Sequence, residues 1–236
     1  MPASFERPAH RRVLALLDAF DGAFLGTHGI VFGGGTRVVC ELGEFRESVD
    51  LDLLCPDTAA YQAARATVTS RSLGLLARRP LALADDLRFD RYGIRGVLLA
   101  PDGTAVKLEV IALADYRLGS TTLPPIPVPA LDRTACYVTK LLANSDRGLA
   151  FPHKDPLDLL AMWLEWGPAP GSAWREAERH YGSGVAGDLV RAWRYLAELA
   201  PDDLRRLASA LVIAPSTLRD WQPQAARLAA DLEHAR

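Results

Sequence analysis

Asp50 and Asp52 stand one residue apart in the run Val49-Asp50-Leu51-Asp52-Leu53-Leu54. On a strand, side chains at i and i+2 point to the same face. The pattern therefore predicts two carboxylates side by side, with Leu51 and Leu53 turned to the core. Two like charges held that close repel, and burying them unpaired is costly. A divalent cation resolves the conflict, and an all-oxygen site suits Mg²⁺ or Mn²⁺. Upstream, the apolar run from His28 to Phe32 leads into Gly33-Gly34-Gly35-Thr36, with a helix expected over residues 36–42. A glycine pair at a helix start leaves bare backbone N–H groups that cradle phosphate. Metal-binding carboxylates beside a phosphate cradle are the layout of a nucleotidyl- or phosphoryl-transfer site.

Composition sets the bounds. A chain of 236 residues makes one large domain or two small ones. Hydrophobic content of 49% and charged content of 24% are those of an ordinary globular protein. A net charge of -2 gives no strong overall field toward nucleic acid or membrane, so an RNA partner needs a local basic patch. The three cysteines, Cys40, Cys55 and Cys136, have no CxxC spacing and read as buried small hydrophobes in a reducing compartment. No apolar run is long enough to span a bilayer, and residues 1–12 lack a signal-peptide core. The expected location is the cytoplasm.

Apolar residues at helical spacing predict a first helix over residues 10–25, and Pro56-Asp57-Thr58 starts another over residues 59–77. Strands are expected at residues 89–100 and 104–112, joined by a hairpin turn at Pro101-Asp102-Gly103. Helices mixed with a sheet holding an antiparallel pair make the fold class α+β, not a doubly wound sheet. The proline-rich stretch at 118–131 reads as an extended connector, which places a domain boundary between residues 1–130 and 131–236. The second part is predicted to be all-helical, with helices over residues 132–145, 156–166, 173–181, 185–199, 202–211 and 216–235. All five tryptophans fall there and read as core packing.

Other residues extend the chemistry. Glu109 alternates with Leu108 and Val110, and supplies a third carboxylate if its strand neighbours Asp50-Leu51-Asp52. Lys140, Asn144 and Arg147 share one helix face and make a basic stripe suited to triphosphate or nucleic-acid phosphate. Asp155 reads as an N-cap, with Pro156 at N1 and Asp158 at N3.

Taken together, these residues resemble the AbiEii-type nucleotidyltransferase toxins of the DNA polymerase β superfamily, and the related mycobacterial MenT toxins. Gly34-Gly35-Thr36 followed by Arg46-x-Ser48-x-Asp50-x-Asp52 looks like the family's glycine pair and R-x-S-x-D-x-D. Lys107-Leu108-Glu109 looks like its third-carboxylate strand, and Lys140-Leu141, Arg147 and Lys154-Asp155-x-x-Asp158-Leu159 like its lysine and basic-Asp-x-x-Asp-Leu block. The resemblance covers roughly half the chain. It departs from the family pattern at Pro156, and the last helices match no functional motif.

The resemblance implies a polymerase β-like nucleotidyltransferase core with a mixed sheet, followed by a helical domain. It implies transfer of a nucleoside monophosphate from an NTP, with Mg²⁺ or Mn²⁺, to an acceptor such as a tRNA 3′ end. The toxin would be neutralised by a separately encoded antitoxin, in a toxin–antitoxin or phage-defence role. On that pattern Asp50 and Asp52, with Glu109, bind metal. Gly34, Gly35, Thr36, Arg46, Ser48 and Lys140 hold the nucleotide, and Asp155 is a catalytic or site-organising acid. Two other readings stay open: transfer to a small aminoglycoside-like acceptor, and a non-catalytic member that binds nucleotide or a partner.

Overall fold

The computed structural model of the chain describes residues 5–234. The first four residues of the stretch 1–12 read for a leader, and Ala235 at the end of the last expected helix, lie outside the described residues. The chain divides into two compact units. One is the chain up to Glu44 together with Ser48–Ala135; the other is Phe45–Glu47 together with the chain from Cys136 onward. The division after Ala135 falls inside a helix, beyond the proline-rich connector.

The first unit holds α1 (Pro8–Leu17), α2 (Gly22–Thr27), β1 (Val31–Phe32), α3 (Gly34–Glu41), β2 (Leu51–Cys55) and α4 (Thr58–Ala66). It continues with β3 (Arg88–Asp90), β4 (Gly93–Leu99), β5 (Ala105–Ala112), β6 (Ser120–Thr121) and β7 (Ala130–Leu131). The strands form one mixed sheet in the order β3-β4-β5-β2-β1-β7-β6. β2 runs parallel to β5 and β1 parallel to β7, while the other neighbours are antiparallel. The fold is therefore the mixed α and β architecture expected. Leu51, Leu53, Leu108, Val110, Ile94 and Leu98 are fully buried and give the sheet its core face.

Several boundaries differ from the periodicity reading, each for a local reason. The single helix expected over residues 10–25 is two, because Asp21 starts a new one by accepting the Phe24 N–H at 2.9 Å. Phe20, just before it, bridges to Ala77 instead of continuing the helix. The helix expected over residues 59–77 stops at Ala66, where β-branched Thr67, Val68 and Thr69 follow and only a short 3₁₀ turn, Gly74–Leu76, returns. The strand expected over residues 89–100 is the hairpin β3–β4. Asp90 Oδ1 accepts from both Tyr92 N (2.7 Å) and Gly93 N (3.1 Å), turning the chain there. Gly93 permits the close approach, since a Cβ would meet Val110 O at 2.4 Å. The turn at Pro101-Asp102-Gly103 forms as expected, with Gly103 at φ +81 and its N–H donated to Ala100 O at 2.8 Å. The helix expected from Thr36 already begins at Gly34.

α5 (Arg133–Arg147) leads into the second unit, followed by α6 (Lys154–Trp166), α7 (Gly171–Tyr181), α8 (Val185–Ala197), α9 (Pro201–Leu211) and α10 (Pro215–His234). Of the tryptophans expected in the core, Trp193 is there, while Trp163, Trp166, Trp174 and Trp221 are half-buried at its edge. Trp193 is fully buried and donates Nε1–H to Pro156 O at 3.0 Å. Trp163 meets Trp193 edge to face at 5.1 Å and Trp174 at 6.2 Å.

Candidate active site

In the first unit, β1 delivers the chain to Gly33, whose N–H is donated to Asp52 O at 2.9 Å. This bond sets the start of α3 against β2. Gly34 has φ +70, and a Cβ there would lie 1.9 Å from Asp52 Oδ2. The Asp52 carboxylate thus occupies the space a side chain would take, so position 34 needs glycine for both conformation and room. The N–H groups that open α3 give this end a partial positive charge that favours anions. Thr36 is fully buried. Its hydroxyl donates to Asp50 O at 2.6 Å and lies 3.0 Å from Ser48 Oγ. Thr36 and Ser48 therefore brace the entry to β2, and their hydroxyls are engaged within the protein.

Asp50 stands one residue ahead of β2 and Asp52 within it, both half-buried, Asp52 between buried Leu51 and Leu53. β5 is the parallel neighbour of β2, and Glu109 is paired in register with Asp52. Asp52 and Glu109 are thus neighbours across the two strands, while Asp50 precedes the paired register. Glu109 is nevertheless engaged: Lys107 Nζ lies 2.8 Å from its Oε2 and Arg95 Nε 3.8 Å from its Oε1. The hydrogen bond to Glu109 holds the Lys107 ammonium above the usual lysine range; burial opposes this, and the charges of Glu109, Asp50 and Asp52 add to it.

Among the described residues, no three His, Cys, Asp or Glu side chains are grouped to close a metal site unaided. Two carboxylates beside a phosphate-binding helix start nevertheless fit Mg²⁺, which is held by one or two carboxylates and completes its shell with substrate oxygens and water. The hard oxygen donors of Asp50 and Asp52, with Gly34 leaving room for the second, are the residues that would hold it.

The second unit carries a buried ladder of charges. Arg46 is 2% exposed and grips Asp158 with a fork: Nε to Oδ1 at 2.6 Å and Nη2 to Oδ2 at 2.7 Å. Its Nη1 donates to Glu47 O at 2.8 Å. Lys140 Nζ lies 2.6 Å from Asp158 Oδ2 and 2.9 Å from Asp155 Oδ1. Arg147 Nη1 then meets Asp155 Oδ2 at 2.5 Å. Arg46, Asp158, Lys140, Asp155 and Arg147 alternate in sign along the row. Burial pulls the Lys140 ammonium down, but Asp158 and Asp155 more than offset it and hold the group above its ordinary value. Burial pushes the Asp155 carboxyl up, but Lys140 and Arg147 override it and bring it to about 2.

This geometry corrects two expectations. Asp155 does not cap its helix: α6 begins at Lys154 with His153 in a left-handed conformation as its N-cap, and the Asp155 carboxylate is turned to the two cations. Nor is the face bearing Lys140, Asn144 and Arg147 an open basic stripe, since Lys140 and Asn144 are buried and both cations are committed to Asp155. A carboxyl held near 2 is ionised at neutral pH and unsuited to donate a proton.

The roles of two residues escaped the sequence reading. Asp158 enters it as a helix-start residue and as the second acid of the Lys154-Asp155-x-x-Asp158-Leu159 block, but its role in joining Arg46 to Lys140 does not; the signal available was an acidic residue among the apolar Leu157, Leu159 and Leu160. His10 was read only as the start of a helical pattern. It is fully buried, its Nδ1 2.6 Å from Glu44 Oε1 and its Nε2 accepting the Ser48 N–H at 3.1 Å.

The comparisons with known proteins decide the family. The family model described as the nucleotidyl transferase AbiEii toxin of type IV toxin–antitoxin systems matches residues 15–235. The chain belongs to this family. It is accordingly a nucleotidyltransferase of the toxin class, whose substrate is an NTP and whose partner is an antitoxin. No curated protein matches the sequence. Among solved structures, a candidate nucleotidyltransferase from H. pylori is 15% identical, with a TM-score of 0.51 over 96% of each chain. JHP933 from Helicobacter pylori is 16% identical, with a TM-score of 0.50 over 98% of this chain and 96% of that one. Both share the fold with this AbiEii member. None of its helices, among the described residues, is long and apolar enough to cross a membrane.

Proposed function

We propose that this AbiEii toxin moves a nucleoside monophosphate from an NTP onto RNA, a tRNA 3′ end being the expected acceptor, with Asp50 and Asp52 holding Mg²⁺ or Mn²⁺. The observation that carries the reading is the fit of the Asp52 carboxylate into the space left by Gly34, at a helix start that offers backbone N–H groups to phosphate. Gly34 and Gly35 bind the triphosphate through the backbone. Thr36 and Ser48 hold the entry to β2 so that Asp50 and Asp52 keep their places. A bound divalent ion would neutralise triphosphate charge and lower the pKa of the acceptor hydroxyl. Glu109 is the third carboxylate available to that ion once Lys107 and Arg95 yield it. Arg46, Lys140 and Asp155 organise the second unit, and a direct contact of Lys140 with nucleotide requires exchange with Asp155 or Asp158. The cytoplasm is the compartment that supplies both NTP and tRNA.

The test is incubation with each labelled NTP, Mg²⁺ or Mn²⁺, and total RNA. Label in RNA with the wild type and none with Asp50→Asn supports the reading. Label on protein or on a small cationic acceptor, with RNA untouched, refutes the RNA acceptor and leaves nucleotidyl transfer standing.

A further inference from the structure

Residues paired directly across a sheet present their side chains to the same face. Asp52 is paired with Glu109, Glu109 with Arg95, and Arg95 with Arg88. These four therefore make one row across β2, β5, β4 and β3, from the metal-binding carboxylates to the edge of the sheet. Lys107, two residues from Glu109 on β5, belongs to the same face. It is the open face. The Lys107 side chain is 54% exposed and that of Arg95 44%, and Arg88 is exposed, whereas the alternating residues Leu108, Val110, Ile94 and Leu98 are fully buried.

We propose that Lys107, Arg95 and Arg88 form a track for the phosphodiester backbone of a single-stranded nucleic-acid acceptor, leading to Asp52. The inference rests on the RNA reading above and names the surface that would carry it. At about 4.8 Å between strands, three steps span roughly 14 Å, the length of about four stacked nucleotides at a rise of 3.4 Å each. Among the described residues, Lys107 and Arg95 are held by exchangeable surface pairs. Arg95 lies 3.1 Å from Asp90 Oδ2 and 3.8 Å from Glu109, and exposed pairs of this kind are weak and screened by salt. A phosphate displaces them at little cost, and its arrival at Arg95 or Lys107 releases Glu109 toward Asp52. Beside the track, the β3–β4 turn presents Tyr92, 57% exposed, with the Arg91 guanidinium 4.6 Å from its ring centre. Nucleic-acid bases stack on such aromatic and guanidinium surfaces. A small polycation would meet repulsion along the same row.

The experiment uses the full chain and a labelled single-stranded RNA oligonucleotide. Affinity is measured across a salt series for wild type, Arg88→Glu, Arg88→Lys and the double variant Arg88→Glu/Arg95→Ala. Each phosphate contact contributes a slope of about −0.7 in log affinity against log salt for single strands. The expected result is a loss of about tenfold and a slope shallower by about 0.7 in Arg88→Glu, a larger loss in the double variant, and recovery in Arg88→Lys. Unchanged RNA affinity and slope in the double variant, with wild type still labelling RNA, overturn the track alone. A loss confined to triphosphate affinity also overturns it. A wild type that transfers label but never to RNA overturns the acceptor reading, and the track with it.

Discussion

His10 Nε2 accepts the Ser48 N–H at 3.1 Å, while its Nδ1 faces the Glu44 carboxylate at 2.6 Å. The imidazole therefore serves with one nitrogen as acceptor and the other as donor, and it ties α1 to the segment entering β2. Glu44 also accepts the N–H groups of Glu6 and Arg7, ahead of α1. His10→Ala leaves a buried N–H and a carboxylate short of a partner, at about 1–3 kcal/mol each. The expected result is a loss of about 2–6 kcal/mol in urea unfolding and weaker transfer at permissive temperature. His10→Gln, which keeps an acceptor for Ser48, should recover part of both.

Gly34→Ala tests the packing of Asp52. The added methyl would sit 1.9 Å from Asp52 Oδ2, at φ +70, so the carboxylate must move. A displacement of about 1 Å at a reacting centre costs about a hundredfold in rate. Transfer of labelled nucleotide should fall by that order, measured against Gly35→Ala. Wild-type rates in Gly34→Ala would remove Asp52 from the metal-binding set.

The Asp155 carboxyl, lowered to about 2 in the folded chain, has an ordinary value near 3.9 when unfolded. Its stabilising contribution is full above about pH 4 and is lost as pH falls toward 2, because the unfolded chain binds the proton first. The difference is worth about 2 kcal/mol. Urea midpoints of wild type should drop between pH 5 and pH 2.5, and Asp155→Asn should show a shallower drop.

The Arg46–Asp158 fork is buried on both sides. Removing one member strands a charge, at a cost of about 3–5 kcal/mol. Arg46→Ala should lower stability by that amount. Arg46→Lys should recover little, because an ammonium cannot reproduce two parallel N–H bonds. A double-mutant cycle with Asp158→Ala measures the coupling, and a value near zero would show that the fork contributes nothing net.

The arrangement around Gly34 and Asp52 was legible because its logic is local. Leu51, Asp52 and Leu53 alternate on one strand with Asp50 just ahead of it, and the glycines mark the start of a helix by sequence alone. The pairing of β2 with β5, which brings Glu109 beside Asp52, stayed conditional in the sequence, because an apolar strand with one outward acid does not name its neighbour. The charge ladder was less legible. Lys140 and Asp155 were picked out individually, but whether they face solvent or each other depends on how α5 meets α6, which no single-helix pattern encodes. The helix expected over residues 10–25 failed for a readable reason: Asp21-Gly22 is a helix start, and apolar periodicity ran through it without registering the cap. His10 offered no signal, since one histidine on an apolar helix face looks the same whether or not it holds a loop.

The three residues Phe45–Glu47 belong to the second unit although they are encoded within the first. Arg46 and its partner Asp158 are 112 positions apart. At a synthesis rate of about 5–20 residues per second, roughly 6 to 20 s separate their emergence from the ribosome. For that interval the guanidinium waits in water while β2, α4, β3 to β7 and α5 are made. A message cut short before Asp158 therefore yields a chain whose second unit cannot close, however complete its carboxylate pair.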